Sequence, residues 1–397
     1  MSSERYDLIV SGPGAVGLAL AIGAARTGRR VCLLGPETRG ADGRTAALLR
    51  PSLDLLDRIG LGPAVATASA PLRRLRIVDA TGSLFAPPPA EFDAAEIGLP
   101  FFGRNIENAA LLGILAGAAR EQAGLTWRPA LAEGLADADL RTVRLADGSH
   151  VTGAVVAAAD GRFSSLRKAA GIAVRDRRLP QAALTAILSH DRPHGDASTE
   201  FHRRGGPCTL VPLPGGRSSL VWVDTAEATA ERAALDDAAL GRAVTRVTGS
   251  LVGACRIDGP RGTVPLGLLS VDRLTEGRLV LLGEAAHALP PIGAQGLNLG
   301  LADAAALLDE TAGRDLADDN AVRTALARFV RSREADIRLR SLAVEGLNAS
   351  LLRRVVGLDA LRGVGLGLVA SIGPLRRAVM KAGLGAGPPL RASRTTR

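Results

Sequence analysis

The chain has 397 residues, of which 47% are apolar and 22% charged. That length points to two domains, and the ordinary composition excludes bulk disorder. The formal net charge is +9, and since Lys168 and Lys381 are the only lysines, nearly all the positive charge is arginine. This reads either as the mark of a GC-rich genome or as attraction to phosphates or anionic lipid. With 3% aromatics and no basic run interleaved with them, no nucleic-acid partner is expected.

Cys32, Cys208 and Cys255 lie in no CxxC spacing, and an odd count suits reduced thiols in a cytosol. Cys32 falls inside an apolar strand-like run, which predicts core packing. The five histidines show no metal-ligand spacing, so no metal is expected. The chain turns from Met-Ser-Ser-Glu-Arg straight into a strand, which leaves no room for a signal peptide. No stretch reaches the ~18 apolar residues of a membrane-spanning helix.

The first element is the buried strand YDLIVS, residues 6–11. Gly12, Gly14 and Gly17 follow in the order G-x-G-x-x-G, with Ala15 and Val16 between them, and then the helical stretch LALAIGAARTG. A second strand, Arg30 to Leu34, completes the unit. Gly12 makes the tight turn, Gly14 lets the backbone reach a pyrophosphate, and Gly17 lets helix and strand pack closely. The helix N-terminus offers free N–H groups to that anion. Such a fold usually ends its second strand in an acid that binds the adenosine ribose. Here that place is Gly35. Glu37 either reaches round to the ribose or is a surface turn residue.

These glycines alone could equally mean NAD, and two later segments favour FAD. Residues 155–162, VVAAADGR, read as a strand ending in Asp160-Gly161, and the helical run SSLRKAAGI follows. Residues 279–303 read LVLLGEAAHALPPIGAQGLNLGLAD. They hold a strand, then Gly283-Glu284, a loop stiffened by Pro290 and Pro291, and a helix start spanning Gly293, Gln295, Gly296, Leu297 and Asn298. A carboxylate after the strand can hold ribityl or ribose hydroxyls. The helix N-terminus can face the pyrimidine end of a flavin ring and stabilise negative charge there.

With these residues in view, the chain resembles the para-hydroxybenzoate hydroxylase class of flavoprotein monooxygenases, and within it the hydroxylases of ubiquinone biosynthesis. The likeness runs over almost the whole chain. Asp42 to Leu48 resembles the family's D-x-R-x-x-A-L segment, whose arginine, here Arg44, lies by the cofactor. Arg104 to Asn108 opens a helix whose first residue contacts FAD in this family. Residues 206–222, GPCTLVPLPGGRSSLVW, resemble a substrate-domain hairpin of the ubiquinone branch, and RFVRSREADIRLRSLAVEGLNASLL resembles its helical tail. Departures from the pattern are Glu284 for the usual aspartate, Gly293-Ala294-Gln295-Gly296 for Ala-Gly-Gln-Gly, and Ala302 where an arginine is common.

The resemblance implies an α/β chain: a Rossmann-like FAD-binding domain of the glutathione-reductase type, an inserted β-sheet substrate domain and a helical C-terminal tail. The flavin domain is placed at 1–72, 103–178 and 273–340, the substrate sheet at 73–102 and 179–272, and the tail at 341–397. It further implies NAD(P)H as a transient electron donor near the flavin, which agrees with the lack of a second G-x-G-x-x-G unit. O₂ is then used through a flavin C4a-hydroperoxide to hydroxylate an aromatic ring, in a site that excludes water. No side chain is assignable as the base. His287 reads as structural, and His190 and His202 fall in the predicted substrate sheet. Phe101, Phe102, Phe201 and Trp222 either line the substrate cavity or pack in the core.

Gly363 to Pro374 is apolar and uncharged, flanked by Arg353, Arg354, Arg362, Arg376, Arg377 and Lys381. It suits either an interfacial helix on anionic lipid or a helix docked on the protein. The last ten residues read as disordered. The expected location is the cytoplasm, peripheral on the inner face of the membrane if the tail is interfacial. Three functions follow: hydroxylation of a polyprenylated phenol, hydroxylation of a soluble aromatic, or a flavin-binding subunit of a biosynthetic complex without turnover.

Overall fold

A computed structural model of the chain describes residues 5–37, 43–82, 88–136, 141–290, 294–352 and 373–383. Its apolar runs become two large sheets. The first is built around three parallel strands, Leu279–Leu281, His150–Ala158 and Arg5–Ser11, followed by Val31–Leu34 and Leu125–Arg128. Val31–Leu34 and Leu279–Leu281 are wholly buried, as parallel strands covered on both faces must be, while Leu125–Arg128 at the edge is partly exposed. Helix Ala15–Arg26 is apolar nearly all round, because it packs between helices Asn108–Glu121 and Gln295–Thr311. Cys32 is in this core.

The second sheet runs in the order His287–Ala288, Cys255–Val271, Val174–His190, Arg217–Thr225, Cys208–Leu213, Ala197–His202, Arg74–Asp79 and Ala90–Asp93. Its pairings are antiparallel except that of Ala197–His202 with Arg74–Asp79. The strands Cys208–Leu213 and Arg217–Thr225 form a hairpin through Pro214–Gly216, where Gly215 takes φ +76°. Helix Asp237–Val247 covers one face, burying Leu240 and Val244 against Phe201 and Trp222. These two aromatics are therefore core residues and face away from the flavin domain. Phe102 packs with Ala90, Phe92 and Met380, and Phe101 against the flavin-domain core.

A three-stranded sheet, Thr45–Leu49, Gly103–Glu107 and Ser69–Leu72, lies between the two. The expectation that Arg104 opens a helix is corrected here. Arg104 to Glu107 are strand, paired on both sides, and the helix begins at Asn108. Pairing on both edges outweighs the helical appearance of the sequence.

The chain continues through the long helix Asp319–Leu352. Of the tail, helix Gly373–Gly383 is docked on the substrate sheet, with Met380 buried against Phe92 and Arg376 Nε donating to Glu96 at 2.7 Å. The apolar run 363–372, with Arg353, Arg354 and Arg362, and the last ten residues lie outside the described residues. No described helix is long and apolar enough to cross a membrane.

Candidate functional site

Three motif loops leave the first sheet side by side. Ala159 N donates to Ser11 O at 2.7 Å, and Leu282 N to Ala158 O at 2.9 Å. All three therefore emerge at the carboxyl ends of adjacent parallel strands, the place where open α/β sheets bind ligands.

In the first loop the glycines answer to different neighbours. Gly12 takes φ +104°, and a Cβ there would lie 2.3 Å from Ala159 O. A Cβ on Gly17 would lie 2.0 Å from Gly12 O. Gly14 is different: a Cβ would meet nothing within 4 Å. Gly14 also caps helix Ala15–Arg26 with no side-chain hydrogen bond, so the first-turn N–H groups are free for an anion. Ala15 and Val16, in that turn, are half-buried. Val16 touches the third motif, since a Cβ on Gly300 would come within 2.7 Å of its Cγ2.

The missing ribose acid has a steric cause. Gly35 takes φ +122°, and a Cβ there would lie 2.7 Å from Pro13 Cδ. Its carbonyl accepts from Trp127 Nε1 at 2.9 Å. Glu37 pairs with Arg120, which also lies over the Trp127 ring.

In the second loop, Gly161 takes φ +83° and faces open space. Asp160 Oδ2 accepts from Ser165 N at 3.2 Å, while Oδ1 is buried without a partner. Burial pushes the Asp160 carboxyl above its ordinary value, against hydrogen bonds from Ser164 and its neighbours. Arg167 ties this loop to the third, donating to Ala285 O at 2.8 Å.

In the third loop, Gly283 and Glu284 form a short turn at the strand end, and the Glu284 side chain is exposed. Helix Gln295–Thr311 begins at Ala294, at φ +55°, again without a side-chain cap. Gly296 faces open space and Leu297 is partly buried. Asn298 is fully engaged by protein: it donates to Ala47 O and Ala294 O and accepts from Leu49 N and Ser52 Oγ, all at 2.6–2.8 Å. It thus fixes this helix to the strand Thr45–Leu49, which Arg44 precedes with its side chain exposed. Pro291 and Gly293 lie outside the described residues. Arg104 is held by Ser69 Oγ at 2.7 Å and by the Ala66 and Ser69 carbonyls; burial and the nearby Arg73 lower its pKa.

Beneath this loop lies a charged network that the sequence did not reveal. Asp303 is 1% exposed. Its Oδ2 accepts from Gly283 N at 3.0 Å and pairs with His287 Nε2 at 2.6 Å, and its Oδ1 accepts from Arg333 Nε at 2.8 Å. Burial alone would raise the Asp303 carboxyl, but His287 and Arg333 outweigh it and hold it below the usual range. Arg333 continues to Asp336, and Asp336 to Arg340, which donates to Gln295 Oε1 at 2.5 Å. The long helix thereby holds both the strand end at Gly283 and the helix start at Gln295. The only hint in sequence is the i, i+3 and i+4 spacing of Arg333, Asp336 and Arg340.

An uncapped helix start beside an open glycine suits a pyrophosphate. A buried carboxylate oxygen lacking a donor suits a ribose or ribityl hydroxyl. A second uncapped helix start beside Gly296 suits an electron-rich ring edge. The residues present therefore fit FAD. Comparison with known proteins agrees. The FAD binding domain family matches residues 5–318. Ubiquinone hydroxylase UbiL of Rhodospirillum rubrum is 32% identical over 388 residues, covering 96% of this chain and 89% of that protein. The 3-demethoxyubiquinol 3-hydroxylase of Escherichia coli is 28% identical, covering 97% of this chain and all of that protein. In fold, Klebsiella pneumoniae HpxO complexed with FAD and uric acid matches at a TM-score of 0.76 with 23% identity, covering 97% of each chain. The chain is an FAD-dependent monooxygenase and belongs to the FAD binding domain family, in the branch that holds the ubiquinone hydroxylases.

Proposed function

We propose that this monooxygenase takes reducing equivalents from NAD(P)H and hydroxylates the ring of a polyprenylated phenol in ubiquinone biosynthesis. The observation that carries the reading is the end-to-end likeness to UbiL, 32% identical over 96% of this chain. The three motif loops converge on one edge of the sheet and fit FAD. Gly12, Gly14 and Gly17 with the following helix would hold its pyrophosphate. Asp160 and Glu284 would take sugar and ribityl hydroxyls, and the helix start at Gln295, Gly296 and Leu297 would face the ring. When bound, FAD supplies the redox chemistry that activates O₂. The chain's own task is to keep that site dry and fixed, and the Asp303 network does so by clamping Gly283 and Gln295 from below. Arg44 and Arg104 would approach the cofactor from the three-stranded sheet. Glu37, paired with Arg120, is the weakest of the cofactor contacts proposed.

Peripheral membrane contact through the tail belongs to the same reading. On helix Gly373–Gly383, Met380 faces inward, while Leu375, Arg377, Val379 and Lys381 are exposed. Exposed apolar residues beside cations suit an anionic bilayer, where a polyprenyl substrate resides. Gene deletion followed by mass spectrometry of quinone precursors tests the function. The expected result is accumulation of one precursor lacking a ring hydroxyl, and unchanged quinone pools would end the proposal. NAD(P)H oxidation by the purified yellow protein separates an enzyme from a non-catalytic subunit of a complex. Loss of vesicle binding on deleting 351–397 would favour a lipid-borne substrate over a soluble one.

A further inference from the structure

The second sheet turns one face toward the flavin domain. Ser219 marks it, since its Oγ accepts from Thr45 Oγ1 at 2.9 Å and from Asn105 Nδ2 at 3.3 Å. Residues paired across neighbouring strands share a face, and so do residues two apart on one strand. Val221, two beyond Ser219, pairs with Thr209, and Thr209 with Glu200. Glu200 and His202 therefore lie on the face of Ser219, whereas Phe201 between them points into the opposite core. Thr209 and Val221 are only partly buried, Val221 packing beside Ala183, Val223 and Leu266, so this face is incompletely covered beside its contact with the flavin domain.

At the end of that row, His202 Nε2 lies 2.7 Å from Glu200 Oε1, with side chains 4% and 13% exposed. His202 Nδ1 is buried and has no partner. The carboxylate selects the tautomer: Nε2 carries the proton and donates it to Glu200, which leaves a lone pair on Nδ1. A histidine oriented by a carboxylate on one nitrogen and unpartnered on the other is the arrangement of a general base. Of the other histidines only His287 shares it. His190 is satisfied on both nitrogens, by Arg192 O at 2.8 Å and Ser218 Oγ at 2.9 Å. The Nδ1 of His287 is also unpartnered, but its carboxylate is already neutralised by Arg333, which weakens its hold on an imidazolium. Asp79 pairs with His202 across the parallel strands and faces the same side, with Oδ1 taken by Thr81. Arg76 and Arg203 occupy the other face, on Glu91 and over Trp222.

We propose that His202, positioned by Glu200, accepts the proton of the hydroxyl group of a bound phenol. The O–H bond breaks, its electron pair stays on the phenolate oxygen, the proton goes to Nδ1, and Glu200 stabilises the imidazolium. This rests on the reading that the substrate is a phenol. The test is ¹⁹F NMR of a short-chain prenylated fluorophenol bound to the FAD-loaded protein and titrated with pH. In the wild type the bound phenol should ionise at a pH at least about one unit below that of the free phenol, a tenfold shift. His202→Gln should abolish the shift, and Glu200→Gln, which keeps shape and a hydrogen-bonding partner, should reduce it, with the visible flavin spectrum unchanged in both. An equal shift in His202→Gln, or binding to the wild type with no shift, overturns the base assignment and leaves the substrate reading standing. Absence of phenol binding to the wild type sinks the substrate reading and the base with it.

Discussion

The two ends of the flavin site are made of opposite materials. The phosphate end is built from missing side chains: Gly12 and Gly17 are glycines because protein backbone stands within 2.3 Å and 2.0 Å of where a Cβ would be. The ring end is built from buried charge: Asp303 accepts from Gly283 N, His287 and Arg333 in an interior position. The first end depends on close backbone approach, of Gly17 to Gly12 and of Gly12 to Ala159, and fails by collision. The second depends on a helix some thirty residues away and fails by removing a buried counter-charge. Two kinds of damage should therefore be separable by experiment.

The largest effect is expected from Asp303→Asn. It removes the buried counter-charge of Arg333 and leaves it only the partly exposed Asp336, and breaking such a buried pair costs about 3–5 kcal/mol. Urea unfolding should show that loss with little change in slope. The acid dependence supplies a second signature. A carboxyl held below its unfolded value stabilises the fold above that value, near 3.8, and the benefit disappears as pH falls through the folded pKa. Stability of the wild type should thus fall in acid, and that limb should flatten in Asp303→Asn. A loss below about 1 kcal/mol would mean that the charges at the ring end are as expendable as a surface pair.

At the phosphate end, Gly12→Ala and Gly14→Ala should part company. Gly12→Ala forces a side chain into a left-handed backbone against Ala159, a strain of about 1–3 kcal/mol before any collision is counted. Gly14→Ala meets only open space, so apo stability should hold within about 0.5 kcal/mol. Its FAD affinity should nevertheless fall by about tenfold or more, equivalent to about 1.4 kcal/mol. Equal FAD affinity in Gly14→Ala and the wild type would show that the pyrophosphate lies elsewhere.

The contrast also explains what could be read from sequence. Steric devices leave a local mark, so Gly12, Gly14, Gly17 and Gly161 were legible, as were the strands that carry them. Asp303 and Arg333 were not, because a buried ion pair between distant segments has no spacing of its own. Arg104 looked like a helix start because the following run is helical, and only pairing with Thr45–Leu49 and Ser69–Leu72 makes it strand. Asn298 sits in the helix start expected to face the flavin ring, yet its side chain is consumed in joining two protein segments. For Phe201 and Trp222 the sequence favours core over cavity, and the helix Asp237–Val247 that buries them carries no motif. Gly35 was legible as an anomaly; its cause, Pro13, needed the fold.

Asp160 lies between the two extremes, a partly buried carboxyl at the phosphate end. Burial raises its carboxyl, so the fold is favoured at low pH and the penalty grows as pH rises above the unfolded value of 3.8. Asp160→Asn should therefore stabilise the apo-protein at neutral pH, with the gain shrinking toward pH 4, while weakening FAD binding. Thermal melts with and without FAD read both effects, and a destabilised apo-protein would mean that Asp160 is a structural turn residue rather than a group awaiting a hydroxyl.

The smallest effect is expected far from both ends. Arg376 and Glu96 are about a quarter exposed, at 25% and 26%, so Arg376→Ala should cost no more than about 1 kcal/mol. It should act locally. Helix Gly373–Gly383 is held on the substrate sheet by this pair and by Met380, which packs with Ala90 and Phe92 and not with the flavin-domain core. Proteolysis within the tail should accelerate in Arg376→Ala, and further in Met380→Ala, while FAD affinity stays at the wild-type value. If FAD affinity fell with helix release, the tail would be part of the ring-end clamp, and the charged network below Gly283 would extend beyond Arg340 to the end of the chain.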